Sequence, residues 1–143
     1  MITLKKATIK DIILFIDTAR KVDKKEVWLS SGLPIELQAT KILEKEPLGI
    51  WSGKELLGIG GLREDGNGGA LGWMLLTEKV DNHKIEFLRW SKRYVNTLLN
   101  HYKQIYNYVY IFNFWHVEYL KWLGARFINS NIPNFVLFSL ERR

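Results

Sequence analysis

The chain has 143 residues, 47% of them apolar and 25% charged, with a formal net charge of +6 and no cysteine. That length suits one domain with its own core, and the apolar share is too high for a disordered chain. The missing cysteines exclude disulfides, thiolate nucleophiles and thiolate zinc sites. The positive charge favours anionic partners such as phosphates, nucleic acid or an acidic protein surface, and says little about fold.

The opening stretch MITLKKATIKD lacks the apolar run of a signal peptide. Ile2 to Lys6 reads as a first strand. Thr8 and Asp11 form a capping box ahead of a helix from Ile9 to Arg20, with Ile9, Ile12, Ile16 and Ala19 as its apolar stripe. Lys21 to Gly32 shows no clear period and is broken by Ser31, Gly32 and Pro34. A helical rhythm resumes through Leu37, Ile42 and Leu43. Three strands follow, PLGIWSG, LLGIGGLR and ALGWMLLTEK, the last two joined by the turn EDGNGG, whose residues accept positive φ. Gly58, Gly60 and Gly61 cost strand stability, so they imply either a close backbone approach or a bulge.

Beyond Asn82 the period changes. Ile85, Leu88, Val95, Leu98, Leu99, Tyr102 and Ile105 predict a long amphipathic helix over about 82–104, capped by Asp81 or Asn82. NYVYIF reads as a buried strand. Asn113 then caps a helix to Leu123, with Phe114, Val117, Leu120 and Leu123 inward and Gly124 as its stop. ARFI and FVLFSL, separated by NSNIPN, form a terminal antiparallel pair. No segment reaches the roughly 18 uninterrupted apolar residues of a membrane span. The order of elements predicts one mixed α/β domain over residues 1–143, a single mixed central sheet with flanking helices.

Few motifs point to chemistry. IGG and GNGG lie between strands, whereas a phosphate loop places its glycines between a strand and the helix it feeds. EDGNGG lacks the ligand spacing of a calcium loop and reads as a hairpin turn. His83, His101 and His116 are too far apart in sequence for a local zinc pair. His83 reads as a solvated first-turn residue and His101 as part of a polar flank. His116, just past a strand end, is a catalytic candidate, although an ordinary hydrogen-bonded first-turn histidine has the same signature. No serine carries a nucleophile elbow. Glu78 is a candidate general base at a strand end, against a solvated alternative. Trp90 and Tyr94, with Lys92 and Arg93, suit single-stranded nucleic acid by composition alone.

The element order, TLKKATIKDI at the start and NFWHVEYLKWLGARF near the end resemble the GNAT acetyltransferases. The resemblance implies that the strands ALGWMLLTEK and NYVYIF splay and admit acetyl-CoA. A more specific resemblance is to the small acetyltransferase-like internal virion proteins of short-tailed phages. It is carried by Ile59–Gly61, the long basic helix, NYVYIFN, His116, Leu120 and Gly124–Phe127. It implies a virion-interior or host-cytoplasmic protein that works by protein interaction, with other virion or internal core proteins as partners and no cofactor.

Two departures separate the chain from active acetyltransferases. EKVDNHKIEFLRWS stands where they carry a glycine-rich pyrophosphate loop, and Leu120 stands where they carry a tyrosine acid. Leucine cannot protonate a departing thiolate. The expectation is therefore a poor acetyltransferase or none. Under the alternative of an acyl-CoA-dependent N-acetyltransferase, an amine attacks the thioester directly, with Glu78 as base and His116 and Tyr119 as further catalytic candidates. Leu75, Leu76 and Thr77 then supply backbone amides, with Lys84 and Asn113 beside the coenzyme. A nucleic-acid-binding module is a further alternative.

Overall fold

The computed structural model describes residues 1–142. In chain order it contains β1 (Ile2–Lys6), α1 (Ile9–Thr18), α2 (Lys21–Ser31), a 3-10 turn (Ile35–Leu37), α3 (Ala39–Glu44), β2 (Leu48–Ser52), β3 (Glu55–Glu64) and β4 (Ala70–Leu76). A second 3-10 helix (Glu78–His83) runs into α4 (Lys84–Leu98), followed by β5 (Gln104–Tyr110), α5 (Phe114–Trp122), β6 (Arg126–Asn129) and β7 (Phe135–Glu141). The strands hydrogen-bond in the order β1-β2-β3-β4-β5-β7-β6. The β4–β5 pairing is parallel, while β1–β2, β2–β3, β5–β7 and β6–β7 are antiparallel. The fold is mixed α/β, with a central mixed sheet flanked by helices. Among the described residues no helix is long and apolar enough to cross a membrane.

The described residues group into two compact units, Met1–Gly61 with Met74–Trp90, and Leu62–Trp73 with the chain from Ser91 onward. In the first, α1 begins with the capping box its sequence predicts. Asp11 N donates to Thr8 Oγ1 at 3.2 Å and Thr8 N to Asp11 Oδ2 at 3.0 Å. Its buried face is Ile12, Phe15 and Ile16, and Ile9 is exposed. Of the predicted stripe Ile12, Ile16 and Ala19 are buried, joined by Phe15, and only Ile9 faces out; the helix stops at Thr18, two residues short of Arg20. Full burial of a side chain such as Phe15 contributes about 1.5–3 kcal/mol. The segment after it, α2, is helical, and its weak period fits a helix that leaves Trp28 and Leu29 largely exposed. It ends on left-handed Gly32, whose amide donates to Trp28 O at 2.8 Å.

The glycine-rich strand β3 shows both features its composition implies. A Cβ on Gly58 would lie 2.5 Å from the Leu75 carbonyl oxygen, so β4 approaches too closely for any side chain there. Across from it, the β2 register slips between Ile50 and Trp51.

In the second unit β7 lies between β5 and β6. It pairs with β5 over seven residues and with β6 over four. Its burial on both faces through Phe138, Ser139 and Leu140 fits an interior strand, and β6 is the edge. The turn EDGNGG closes on Asp65, whose Oδ1 accepts from Asn67 N at 2.8 Å and Gly69 N at 3.0 Å, while Oδ2 accepts from the Tyr106 hydroxyl at 3.0 Å. Those donors, the Asn67 amide foremost, hold the Asp65 carboxyl below its usual range. α5 stops where Gly124 takes φ 89°. Gly124 N then donates to Lys121 O and Ala125 N to Leu120 O, both at 2.9 Å, the double bond of a Schellman stop.

Several sequence expectations need correction. The predicted helix over 82–104 is a 3-10 turn, a shorter α4 and the start of β5, since Thr77 rather than Asp81 or Asn82 caps the run. Ile85 is 68% exposed, and the buried face of the run centres on Phe87, Ser91 and Leu99. β4 ends at Leu76, which puts Glu78 on the 3-10 helix and not at a strand end. Asn113 occupies the N-cap position of α5 but its side chain makes no capping bond. α5 turns His116, Tyr119 and Leu120 inward and leaves Phe114 exposed. Aromatic and apolar residues surround that helix, so spacing alone could not choose its buried face.

Candidate functional site

The end of β4 is where the acyl site was expected, and all of its anchors lie in the first unit. Leu76 and Thr77 are fully buried. The amide of Leu76 donates to Asp23 Oδ2 at 2.9 Å, and its carbonyl accepts from Arg20 N at 3.1 Å. Thr77 N donates to Leu57 O at 2.8 Å, the Thr77 hydroxyl to Leu56 O at 2.6 Å, and Thr77 forms an antiparallel bridge with Ala19. Asp23 is itself fully buried and receives Arg20 Nε on Oδ2 at 3.2 Å and Nη2 on Oδ1 at 3.3 Å. A bidentate guanidinium–carboxylate pair is the geometry that tolerates such burial. Of the three amides expected to polarise a carbonyl, those of Leu76 and Thr77 are therefore engaged within the fold.

The next segment turns at once into a helix. Lys79 N donates to Thr77 Oγ1 at 3.2 Å and Val80 N to Thr77 O at 3.3 Å. The 3-10 turns that follow bond amides to carbonyls three residues back, so α4 is entered without a free first turn. Glu78 and Lys84 are exposed. His83 is not solvated as predicted: Nε2 lies 3.1 Å from Glu55 Oε1 and Nδ1 lies 3.7 Å from Glu86 Oε1. Ser52 Oγ also donates to Glu86, at 2.5 Å, and the N-terminal ammonium sits 2.6 Å from it. The ammonium first, and Ser52 next, hold the Glu86 carboxyl below its usual range. The 3-10 run is thus pinned to the β2–β3 hairpin.

His116, Tyr119 and Asn113 belong to the second unit. All three are buried, Asn113 completely. The Tyr119 ring stacks on Trp115 at 5.2 Å and Trp122 at 6.5 Å, and lies 6.1 Å from the His116 ring. Burial pushes its phenol up to about 12, against a smaller opposing effect of its hydrogen bond with Ser91. At neutral pH such a phenol keeps its proton firmly. Leu120 beside it is also buried and has none to give. Trp90 and Tyr94, the rings suggested for base stacking, are half-buried.

A coenzyme diphosphate bound by main-chain nitrogens needs several convergent free amides and a backbone that comes close. From Trp73 to Leu123 there is no glycine, and the amides of Leu76, Thr77, Lys79 and Val80 have partners. These residues do not fit a main-chain diphosphate cradle. Sequence reading found the missing glycines but missed Asp23 and Arg20. An aspartate in a lysine-rich stretch reads as solvated, and only the Arg20–Asp23 helical spacing hints at the pair.

Solved structures place the fold among the acetyltransferases. A GNAT-family acetyltransferase from Bacillus anthracis is similar with a TM-score of 0.74 and 12% identity, covering 98% of this chain and 94% of that one. The PaiA N-acetyltransferase of Thermoplasma acidophilum, in complex with coenzyme A, gives 0.70 and 15% over 99% of each chain. The spermidine N-acetyltransferase of Vibrio cholerae, in complex with CoA and spermine, gives 0.65 and 16% over 98% of this chain and 95% of that one. At these identities the likeness defines the fold. Residues 50–131, more than half of the chain, match the family described as Bacteriophage T7, probable scaffold protein Gp13, and the chain belongs to that family. No curated protein matches it.

Proposed function

We propose that this chain is an acetyltransferase-fold protein of the phage particle or its assembly pathway, acting through protein contacts and not through acyl transfer. The observation that carries the reading is the closed β4–α4 connection, a glycine-free 3-10 turn whose leading amides already have acceptors. Membership of a family described as probable scaffold proteins supports the same direction. Its partners under this reading are other virion or core proteins, and it works as one domain without a cofactor.

A second reading has its own support. Two of the three structures named above were solved with coenzyme A, and the likeness to them runs nearly the full length of the chain. Under that reading the chain is an N-acetyltransferase whose coenzyme contacts differ from a main-chain cradle, with Lys84 as a cationic contact and Glu78 as base. Calorimetry with acetyl-CoA, together with thiol release over a panel of amines, separates the two. The first reading expects no saturable heat and no thiol above the blank. Stoichiometric binding with turnover would overturn it in favour of the second.

A further inference from the structure

We infer that Asp23 is an internal plug at the end of β4, holding the backbone donor that a ligand carbonyl would need. The inference rests on the first reading above, that the fold no longer presents an open acyl site, and it names the residue responsible. Leu76 N points at Asp23 Oδ2 from 2.9 Å, in a place with no solvent access to either residue. A carboxylate oxygen is a stronger acceptor than a thioester or amide carbonyl, so a neutral ligand competes poorly for that amide. Arg20 holds the plug in position twice. Its guanidinium grips both Asp23 oxygens, and its amide bonds Leu76 O at 3.1 Å, so the α1–α2 corner is stitched to both polar groups of Leu76. Withdrawing the carboxylate alone would leave the part-buried Arg20 guanidinium without this partner oxygen pair, which opposes spontaneous opening.

Amide exchange followed by NMR on the full chain reads this contact directly and needs no variant. The Leu76 amide is expected to exchange slowly in the wild type. In Asp23→Ala its exchange should accelerate roughly 10- to 100-fold, the range for losing a hydrogen bond to a charged acceptor. The Thr77 amide, held by Leu57 O, keeps its protection. S-acetylpantetheine, which carries the thioester but no diphosphate, is then titrated into both proteins. The Leu76 resonance should shift saturably in Asp23→Ala and stay unmoved in the wild type. Asp23→Asn, which retains an acceptor oxygen, should stay unmoved as well. Fast Leu76 exchange in the wild type, a saturable shift in the wild type, or a folded Asp23→Ala blind to the probe would each overturn the plug. The outcomes also separate the two claims: wild-type turnover of acetyl-CoA removes the assembly reading, whereas an inert wild type with a blind Asp23→Ala removes the plug alone.

Discussion

Gly58→Ala probes how tightly β3 and β4 are joined beneath the candidate site. The added Cβ would lie 2.5 Å from Leu75 O and 2.9 Å from Leu76 Cδ2. Ordinary contact begins near 3.4 Å, so the methyl sits about 0.9 Å too close to a main-chain oxygen that cannot rotate away. Relief requires the strands to part. Overpacking of this kind costs about 1–3 kcal/mol, and disturbing the neighbouring Leu76–Asp23 or Thr77–Leu57 bond adds about 1 kcal/mol. The smaller conformational freedom of alanine in the unfolded chain returns about 0.4–1 kcal/mol. The net expectation is a destabilisation of about 2–3 kcal/mol. With an m-value of about 1–3 kcal/mol/M, the urea midpoint should fall by roughly 0.7–3 M with m unchanged. Gly72→Ala would place its Cβ 2.6 Å from Ile105 Cγ2 and 3.3 Å from Leu62 Cδ2; since the β-branched Ile105 is buried and stiff at χ1, that substitution should destabilise as well. A Gly58→Ala protein within about 0.5 kcal/mol of the wild type, the range of an ordinary surface change, would refute the close-approach argument.

Two further outcomes follow from the local geometry. Burial raises the Tyr119 phenol above its ordinary range to about 12 in the folded chain. Its folded form binds the proton more tightly than the unfolded one, so the associated stability is complete below about pH 10 and is lost as pH rises towards 12. The loss amounts to roughly 3 kcal/mol. Urea melts across that range should show the decline flatten in Tyr119→Phe, and an unchanged slope would mean Tyr119 is not the group. Thr8→Ala removes the acceptor for Asp11 N at the start of α1 and should cost about 1 kcal/mol by thermal or urea melting. A loss indistinguishable from zero would show that the capping box is not sustained in solution.

Much of the fold was legible because its signals are local. The capping box at Thr8 and Asp11, the hairpin turn on Asp65, and the stop at Gly124 each depend on bonds within a few residues. Strand and helix order followed from the same punctuation. What failed was the choice among near-equal local options. α5 carries aromatic residues all round, and its buried side was set by what it packs on. The stretch over 82–104 reads as one helix with a cap at Asp81 or Asn82, yet the helical run starts earlier, at Thr77, whose hydroxyl and amide are fixed by Leu56 and Leu57. The candidate site divides in the same way. Missing glycines and Leu120 are visible as letters in the chain, whereas the engagement of Leu76 by Asp23 spans 53 positions.

Composition and spacing alone establish a cysteine-free, basic α/β chain whose glycines all lie outside the segment leading into α4, where a backbone would have to wrap a diphosphate. Those properties belong to residue types, and no packing can supply a glycine that is absent. Which carboxylate reaches the β4 amide, and which face of α5 turns inward, were decided only when distant segments met. A buried donor accepts whichever oxygen the surrounding packing delivers, and that delivery depends on contacts remote in sequence.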